Sequence, residues 1–343
     1  MRKFLLFLTF LLLVISNQVS AQATKKIDDS FFLEEQPLEI TIQSDFKTLL
    51  AKKFKKEYQP ATVTFRFPDS SSIKEDIRIQ TRGKFRLETC FMPPLMLNFK
   101  NNTSPLLKPL GKLKLVCGCG TSTNDEQLII KEFMAYKIYN MLTERSFKVR
   151  LVKINYDDSR GKIKKYSQYG FLLEDVDDMA ARNKCVEVES TQFLTEKTDR
   201  QQMTLVALFE YMIGNTDFSV PHYHNVKLMR PVKDSTTPPI VVPYDLNHCG
   251  FVNAEYALPN EELDIKSVRE RLYRGFPRTM EELEPVIALF KDTKEKIWNL
   301  INNCLWMNAK NKKETTGYLE EFYKIIESKK SVQYHFIDNA RTQ

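Results

Sequence analysis

Short runs in which apolar and polar residues alternate fill the first half of the chain, a pattern typical of half-buried β-strands. Turn-forming dipeptides such as Pro68-Asp69 and Pro93-Pro94 separate the runs. The pattern predicts strands at residues 38–42, 62–67, 73–80, 95–99, 112–117, 148–156 and 169–174. We therefore expect a strand-rich first half in which most strands pair antiparallel.

Helical spacing of apolar residues predicts a short helix at residues 45–55 and a long one at 125–142, and it dominates the second half. There the pattern predicts a helix at 203–213, a strand hairpin at 225–229 and 240–246, and helices at 260–273, 279–303 and 313–328. An acidic segment connects the two halves. The predicted class is α+β, with a β-rich N-terminal lobe at 22–178, a mainly helical C-terminal lobe at 179–343 and a cleft between them.

The N-terminus has the features of a secretory signal peptide. Arg2 and Lys3 precede an apolar run over residues 4–15, and Val19-Ser20-Ala21 ends in a small residue suited to cleavage. The apolar run is shorter than the roughly 20 residues that a membrane span requires. We therefore expect residues 1–21 to be removed, the mature chain to be periplasmic or extracellular, and no membrane span after cleavage.

The formal net charge of +7 and the six cysteines limit the function classes further. A mildly basic chain suits an anionic ligand, and we predict no nucleic-acid partner, because the basic run at residues 52–56 has the pattern of a solvated helix face. In an oxidising compartment Cys90 could pair with Cys117 or Cys119, or the thiols could be buried. Cys117-Gly118-Cys119 alone is too few ligands for structural zinc.

Three polar residues stand at the ends of apolar elements in the second half. Asp217 follows a predicted helix, Asn225 begins one strand of the predicted hairpin, and Asp245 lies near the end of the other strand. A carboxylate can accept a proton from an attacking hydroxyl, while an amide oxygen and a second carboxylate suit Mg²⁺. The trio therefore predicts a catalytic carboxylate, Asp217, beside a metal held by Asn225 and Asp245.

Residues that could bind the phosphates and the base of a nucleotide occur in the first half. Lys114 lies on a predicted strand and Glu132 on the helix that follows, and a strand lysine held by a helix carboxylate is the arrangement used in kinases. Arg82 belongs to a basic turn, residues 82–86, that could cover phosphates. Glu174 ends a strand where a base would meet the connecting segment.

These motifs, in this order, resemble the spore-coat CotH-type kinases, an atypical family of secreted protein kinases. The resemblance covers residues 81–251, including Gly214-Asn215-Thr216-Asp217 and Val242-Pro243-Tyr244-Asp245-Leu246. It implies a two-lobed, protein-kinase-like fold and phosphorylation of an extracytoplasmic protein with ATP and Mg²⁺. It also implies that Lys114 contacts phosphate with Glu132 as its partner.

Two other functions stay open at this stage. The same carboxylates could simply stabilise turns in a non-catalytic binding or structural protein of the cell envelope. A metal-dependent hydrolase is the second alternative, because His222, His224 and His248 lie close in sequence to Asp217 and Asp245. The chain contains no His-Glu-x-x-His sequence that would favour the hydrolase.

Overall fold

Seven strands close into a barrel in the computed structural model, which describes residues 30–101, 103–234 and 236–342. The predicted signal peptide lies outside the described residues. The strands are β1 Leu38–Ser44, β2 Gln59–Arg66, β3 Ser72–Thr81, β4 Leu95–Asn98, β5 Lys112–Cys117, β6 Val149–Asp158 and β7 Tyr166–Leu173. Their order around the barrel is β1-β2-β3-β4-β5-β7-β6.

The barrel closes because β1 pairs in parallel with β6, with Leu38 opposite Val152, whereas the other neighbours pair antiparallel. The alternation read from the sequence places every second residue inside, as with Ile40 on β1 and Val63 on β2. Phe65 and Phe99 help to fill the interior, so it is a packed apolar core.

A second sheet, nine α-helices, four 3₁₀-helices and one π-helical segment make up the rest of the described secondary structure. The sheet has the order β10-β9-β8, with β8 Cys185–Glu187, β9 Val226–Pro231 and β10 Ile240–Pro243. The helices are α1 Ser30–Leu33, α2 Phe46–Ala51, α3 Phe85–Thr89, α4 Thr123–Leu142, α5 Val176–Arg182, α6 Arg200–Ile213, α7 Met280–Asn302, α8 Ala309–Glu327 and α9 Lys329–Val332.

The helix α4 belongs to a second apolar core, outside the barrel, although it lies between two barrel strands in sequence. Buried residues of α4 pack with those of α6, α7 and α8, and with Phe171 on the outer face of β7. A capping box fixes the start of α4, because the Ser122 hydroxyl accepts from the backbone of Asp125 and the Asp125 carboxylate accepts in return. The helical region thus covers one flank of the barrel.

The two-lobed, protein-kinase-like (CotH-like) fold expected from the sequence is wrong. The structure is a mixed α+β arrangement in which the first half closes into a seven-stranded barrel and the helical region packs against it. The parallel pairing of β1 with β6 is what closes the sheet, and strands 110 or so residues apart give no local signal of such pairing.

Several predicted elements differ in detail from the structure. No helix forms at residues 260–273, which are turns and irregular backbone, whereas α3, α5 and β8 were not predicted. A disulfide joins Cys90 to Cys119, one of the two predicted pairings, and Cys117 is a buried thiol. Among the described residues, no helix is long and apolar enough to cross a membrane.

Candidate active site

A cleft of about 400 Å³ lies between the rim of the barrel and the β9–β10 hairpin. The loop after β3 and the helix α3 form one wall, to which Arg82, Lys84 and Arg86 belong. The opposite wall includes Asp217, Asn225 and Asp245. The floor includes Glu132 of α4. The structure therefore brings five of the seven predicted site residues, all except Lys114 and Glu174, to one cleft.

Asp217 is positioned by the end of α6. Gly214 caps this helix in the left-handed conformation, and a Cβ there would collide with the hydroxyl of Tyr318, so the position requires glycine. The side chain of Asn215 then accepts a hydrogen bond from the backbone N–H of Asp217, with an N–O distance of 3.0 Å. This turn directs the Asp217 carboxylate into the cleft.

The antiparallel register of β9 and β10 brings Asn225 and Asp245 to the same end of the hairpin. Val226 pairs with Pro243, and the Tyr244 N–H donates to the Asn225 carbonyl at 3.0 Å. Asn225 and Asp245 both have positive φ, 50° and 57°, a conformation that is uncommon for residues other than glycine. Such backbone strain concentrates at functional sites.

Both carboxylate oxygens of Asp217 have partners. His224 Nε2 lies 2.8 Å from Oδ1, and the Asn225 amide donates to Oδ2 at 2.9 Å and to the Asp217 carbonyl at 2.7 Å. In contrast, the Asp245 carboxylate makes no hydrogen bond or ion pair with any other described residue, and its backbone N–H donates to the Tyr136 hydroxyl at 2.9 Å. The carboxylate oxygens of Asp245 are therefore available to coordinate a metal ion.

The donor set fits Mg²⁺ better than it fits zinc. Within the described ranges, no group of three or more His, Cys, Asp or Glu side chains is arranged to hold a metal ion. Catalytic zinc usually requires three protein ligands, whereas Mg²⁺ is held by one or two carboxylates and completes its shell with water and substrate phosphates. Asp245 and the amide oxygen of Asn225 could hold Mg²⁺ in this way. The arrangement gives the hydrolase alternative no additional support.

In the structure Glu132 pairs with Arg86 and not with Lys114, the partner predicted from the sequence. Arg86 Nη2 lies 2.7 Å from Glu132 Oε2, and the two residues are only 8% and 2% exposed. Burial raises the pKa of Glu132, and Arg86 opposes that rise. Burial lowers the pKa of Arg86, but the field of Glu132, with smaller contributions from Tyr256 and Asp245, raises it well above its ordinary value. The short distance indicates an ionised pair.

Arg86 has donor capacity that its ion pair does not use. Its Nε is buried and has no hydrogen-bond partner among the described residues. Its Nη2 also lies 3.3 Å from the Tyr256 hydroxyl. Because Arg86 also lines the cleft, its guanidinium group is suited to bind an anion there.

Lys114 lies behind Tyr244 and does not line the cleft. Its Nζ is 4.8 Å from the centre of the Tyr244 ring, a cation–π contact. Arg82 donates to the hydroxyl of the same tyrosine at 2.7 Å. Tyr244 therefore separates the predicted phosphate lysine from the space that a phosphate would occupy.

Glu174 is buried outside the cleft and is held by several hydrogen bonds. Arg182 donates to both of its carboxylate oxygens, at 3.1 and 2.9 Å, and the Lys148 N–H donates at 2.8 Å. Its neighbour Leu173 lines the cleft, together with Val116 and Pro94, and the three form an apolar surface. This surface, rather than the Glu174 side chain, is available to a base.

A buried acid lies behind Asp217 and was not predicted from the sequence. Glu210 on α6 accepts from the Asn215 amide at 2.9 Å, and its other oxygen is buried without a partner among the described residues. Burial raises the pKa of Glu210 to about 8, and Asp217 contributes to the rise. The pairing of Arg86 with Glu132 was also missed, although Arg86 belongs to the basic turn that the sequence singled out.

Comparison with known proteins adds no family. No protein-family model matches the chain, and no curated protein matches it significantly.

Proposed function

We propose that the cleft binds a Mg²⁺-nucleotide and transfers its terminal phosphoryl group to a hydroxyl of an extracytoplasmic protein. The observation that supports this most is the distribution of groups in the cleft, with cations on the barrel wall and oxygen ligands on the hairpin wall. Phosphoryl transfer requires this combination, because a polyphosphate and its metal ion must be held together. The proposal rests on this arrangement and on the order of the motifs, not on a shared kinase fold.

Each residue has a specific role in the proposed reaction. Asp217 accepts the proton of the attacking hydroxyl, whose oxygen forms a bond to the terminal phosphorus while the bridging P–O bond breaks and its electrons leave with the nucleoside diphosphate. Asn225 and Asp245 would hold Mg²⁺, which neutralises phosphate charge when bound. Arg82 and Arg86 contact the phosphates.

The base is assigned to the apolar surface of Pro94, Val116 and Leu173, at the barrel side of the cleft. Ligand sites commonly combine an apolar surface for the ring system with a few polar groups that fix orientation. We also propose that the protein acts outside the cytoplasm, because the N-terminal sequence predicts export.

Incubation of the purified protein with Mg²⁺ and γ-labelled ATP, with and without an exogenous protein acceptor, tests this function. We expect label in protein, and we expect Asp217→Asn to lower its rate by about 10²–10⁴-fold, the usual contribution of a general base. Asp264→Asn is the matched control, because Asp264 is exposed and does not line the cleft. Labelling that is equal in Asp217→Asn and wild type would contradict the proposed role.

A non-catalytic binding protein is the second candidate. It is favoured by the hydrogen bonds that already occupy both carboxylate oxygens of Asp217, since such bonds also serve to fix a turn. In that case Mg²⁺-ATP would bind, no label would be transferred to protein, and Asp217→Asn would lower stability.

A further inference from the structure

A second polar pocket, of about 360 Å³, lies along a different face of α4 from the cleft. It is formed by the first turns of α4 and α8 and by the loop that contains Asn253. Lys131 lines this pocket, whereas the next residue, Glu132, lines the cleft. The two pockets therefore share a helix but no lining residue.

The side chain of Lys131 is buried, and its ammonium group has no partner among the described residues. The residue is 3% exposed, and it forms no hydrogen bond or ion pair with any residue that the structure describes. Burial lowers the pKa of Lys131, and the charge of the Glu314 carboxylate opposes that effect. Lysine is almost never buried to this extent without a partner.

Two other polar side chains of the pocket, Glu314 and Gln127, already have partners. The Glu314 carboxylate accepts from Asn253 at 3.1 Å and lies 3.6 Å from Arg269. The Gln127 amide donates to the Trp306 carbonyl at 2.9 Å and accepts from the Asn308 N–H at 2.9 Å. These contacts hold the two side chains in place, whereas the buried Lys131 side chain has no such partner among the described residues.

We propose that this pocket binds a small molecule bearing an anionic oxygen group, a carboxylate or a phosphate, with Lys131 as the cation that pairs with it. A bound anion would supply the counter-charge that the ammonium group lacks among the described residues. Lys310, which also lines the pocket, adds a second positive charge at its edge. The volume suits a ligand the size of a small di- or tricarboxylic acid or a sugar phosphate. This proposal is independent of the phosphoryl-transfer function.

Thermal unfolding of the full mature chain, with inorganic phosphate or citrate as the probe, tests the pocket at matched ionic strength. At about ten times the dissociation constant, we expect a probe that binds to raise the midpoint by about 2 °C. A response to citrate alone would indicate a carboxylate ligand, and a response to phosphate alone a phosphate ligand. A probe concentration of about 10 mM is high enough to detect millimolar affinity. Absence of any response up to that concentration would overturn the proposal.

Lys131→Met should abolish the response, since it keeps the length of the side chain and removes its charge. Lys137→Met is the matched control, because Lys137 is a half-buried lysine of the same helix that lines a different groove. Loss of the response in both variants, or in neither, would contradict the assignment. If Lys131→Met does not fold, acylation of the wild-type amines followed by mass spectrometry replaces it. The probe should slow the modification of Lys131 and leave the rate of modification of Lys137 unchanged. Equal modification of Lys131 with and without the probe would overturn the site.

Discussion

The two walls of the cleft differ in charge and in how their charged groups are held. On the barrel wall, Arg86 is buried and fixed by its ion pair with Glu132. On the hairpin wall, Asp217 is engaged by His224 and Asn225, whereas the Asp245 carboxylate has no partner among the described residues. The cationic wall is therefore already assembled, while the hairpin wall keeps a carboxylate available. A cleft of this kind suits an anion that arrives with its own cation.

The largest effect on stability should come from the ion pair between Arg86 and the floor of the cleft. Glu132→Ala leaves a buried guanidinium without its counter-charge, and we expect a loss of about 3–5 kcal/mol in the free energy of unfolding. Denaturant unfolding measures it. Glu284→Ala, which removes an exposed ion pair with Lys329, is the control and should cost less than about 1 kcal/mol.

The double variant Arg86→Met/Glu132→Leu sharpens this result. If the loss comes from an uncompensated buried charge, replacing both partners with apolar residues should recover most of the stability while nucleotide binding stays lost. A double variant as unstable as Glu132→Ala would show that packing, rather than charge, determines the cost.

The disulfide should contribute the next largest amount. It connects Cys90, the residue after α3, to Cys119, three residues before the cap of α4, and closes a loop with a sequence separation of 29. Cys90→Ser/Cys119→Ser should lower the free energy of unfolding by about 3 kcal/mol through the entropy of the unfolded chain. Because α3 contains Arg86, nucleotide affinity should fall as well. An unchanged denaturation midpoint in this variant would contradict a stabilising disulfide between these cysteines.

A smaller, pH-dependent effect should come from Glu210 behind the hairpin wall. Burial raises the pKa of Glu210 to about 8 in the folded protein, so between its ordinary value of 4.5 and about 8 the folded state holds a proton that the unfolded state has lost. Stability from this group is therefore fully present below about pH 4.5 and is lost as pH rises through 8.

Glu210→Gln should flatten this part of the stability profile, because glutamine keeps the acceptor for Asn215 and does not titrate. Unfolding free energies measured between about pH 5 and pH 8 test it. Glu261→Gln, at an exposed position, is the control and should leave the slope unchanged. Identical slopes in Glu210→Gln and wild type would show that Glu210 is ionised at neutral pH.

The smallest effect should follow from Lys114→Met. Lys114 contacts the ring of Tyr244 and not the cleft, so we expect nucleotide affinity to change by less than about fivefold, the size of a cation–π contact. Arg86→Met should weaken the same binding by more than about tenfold, the lower limit for a hydrogen bond to a charged group. Calorimetric titration compares the two variants, and a larger effect of Lys114→Met would restore the role predicted from the sequence.

The sequence located most strands and most of the predicted residues that line the cleft, but not the way in which they assemble. Alternation located β1 to β7 within a few residues, because each strand buries one face. Barrel closure depends on the pairing of β1 with β6, which no local pattern encodes. The trio of Asp217, Asn225 and Asp245 was found because all three lie at the ends of apolar elements.

The cation that pairs with Glu132 was not identified, because the contact between residues far apart in sequence leaves no local pattern. Lys114 fitted a strand–helix pattern familiar from kinases, whereas Arg86 reaches Glu132 from a five-residue helix that the sequence did not predict. Glu210 was missed because a carboxylate inside an apolar helix gives no sign of whether it is solvated or buried. Only the packing of α6 in the folded protein shows that the Glu210 carboxylate is buried.

The most direct test of the account is the Mg²⁺ dependence of nucleotide binding in wild type and Asp245→Asn. We expect wild type to bind an ATP analogue that resists hydrolysis, with affinity that rises at least tenfold when Mg²⁺ is added, because metal and phosphates are held together. In Asp245→Asn the nucleotide should still contact Arg86, but the enhancement by Mg²⁺ should be lost. Binding that is absent in wild type, or equally enhanced by Mg²⁺ in both proteins, would contradict a Mg²⁺-nucleotide site at Asp245.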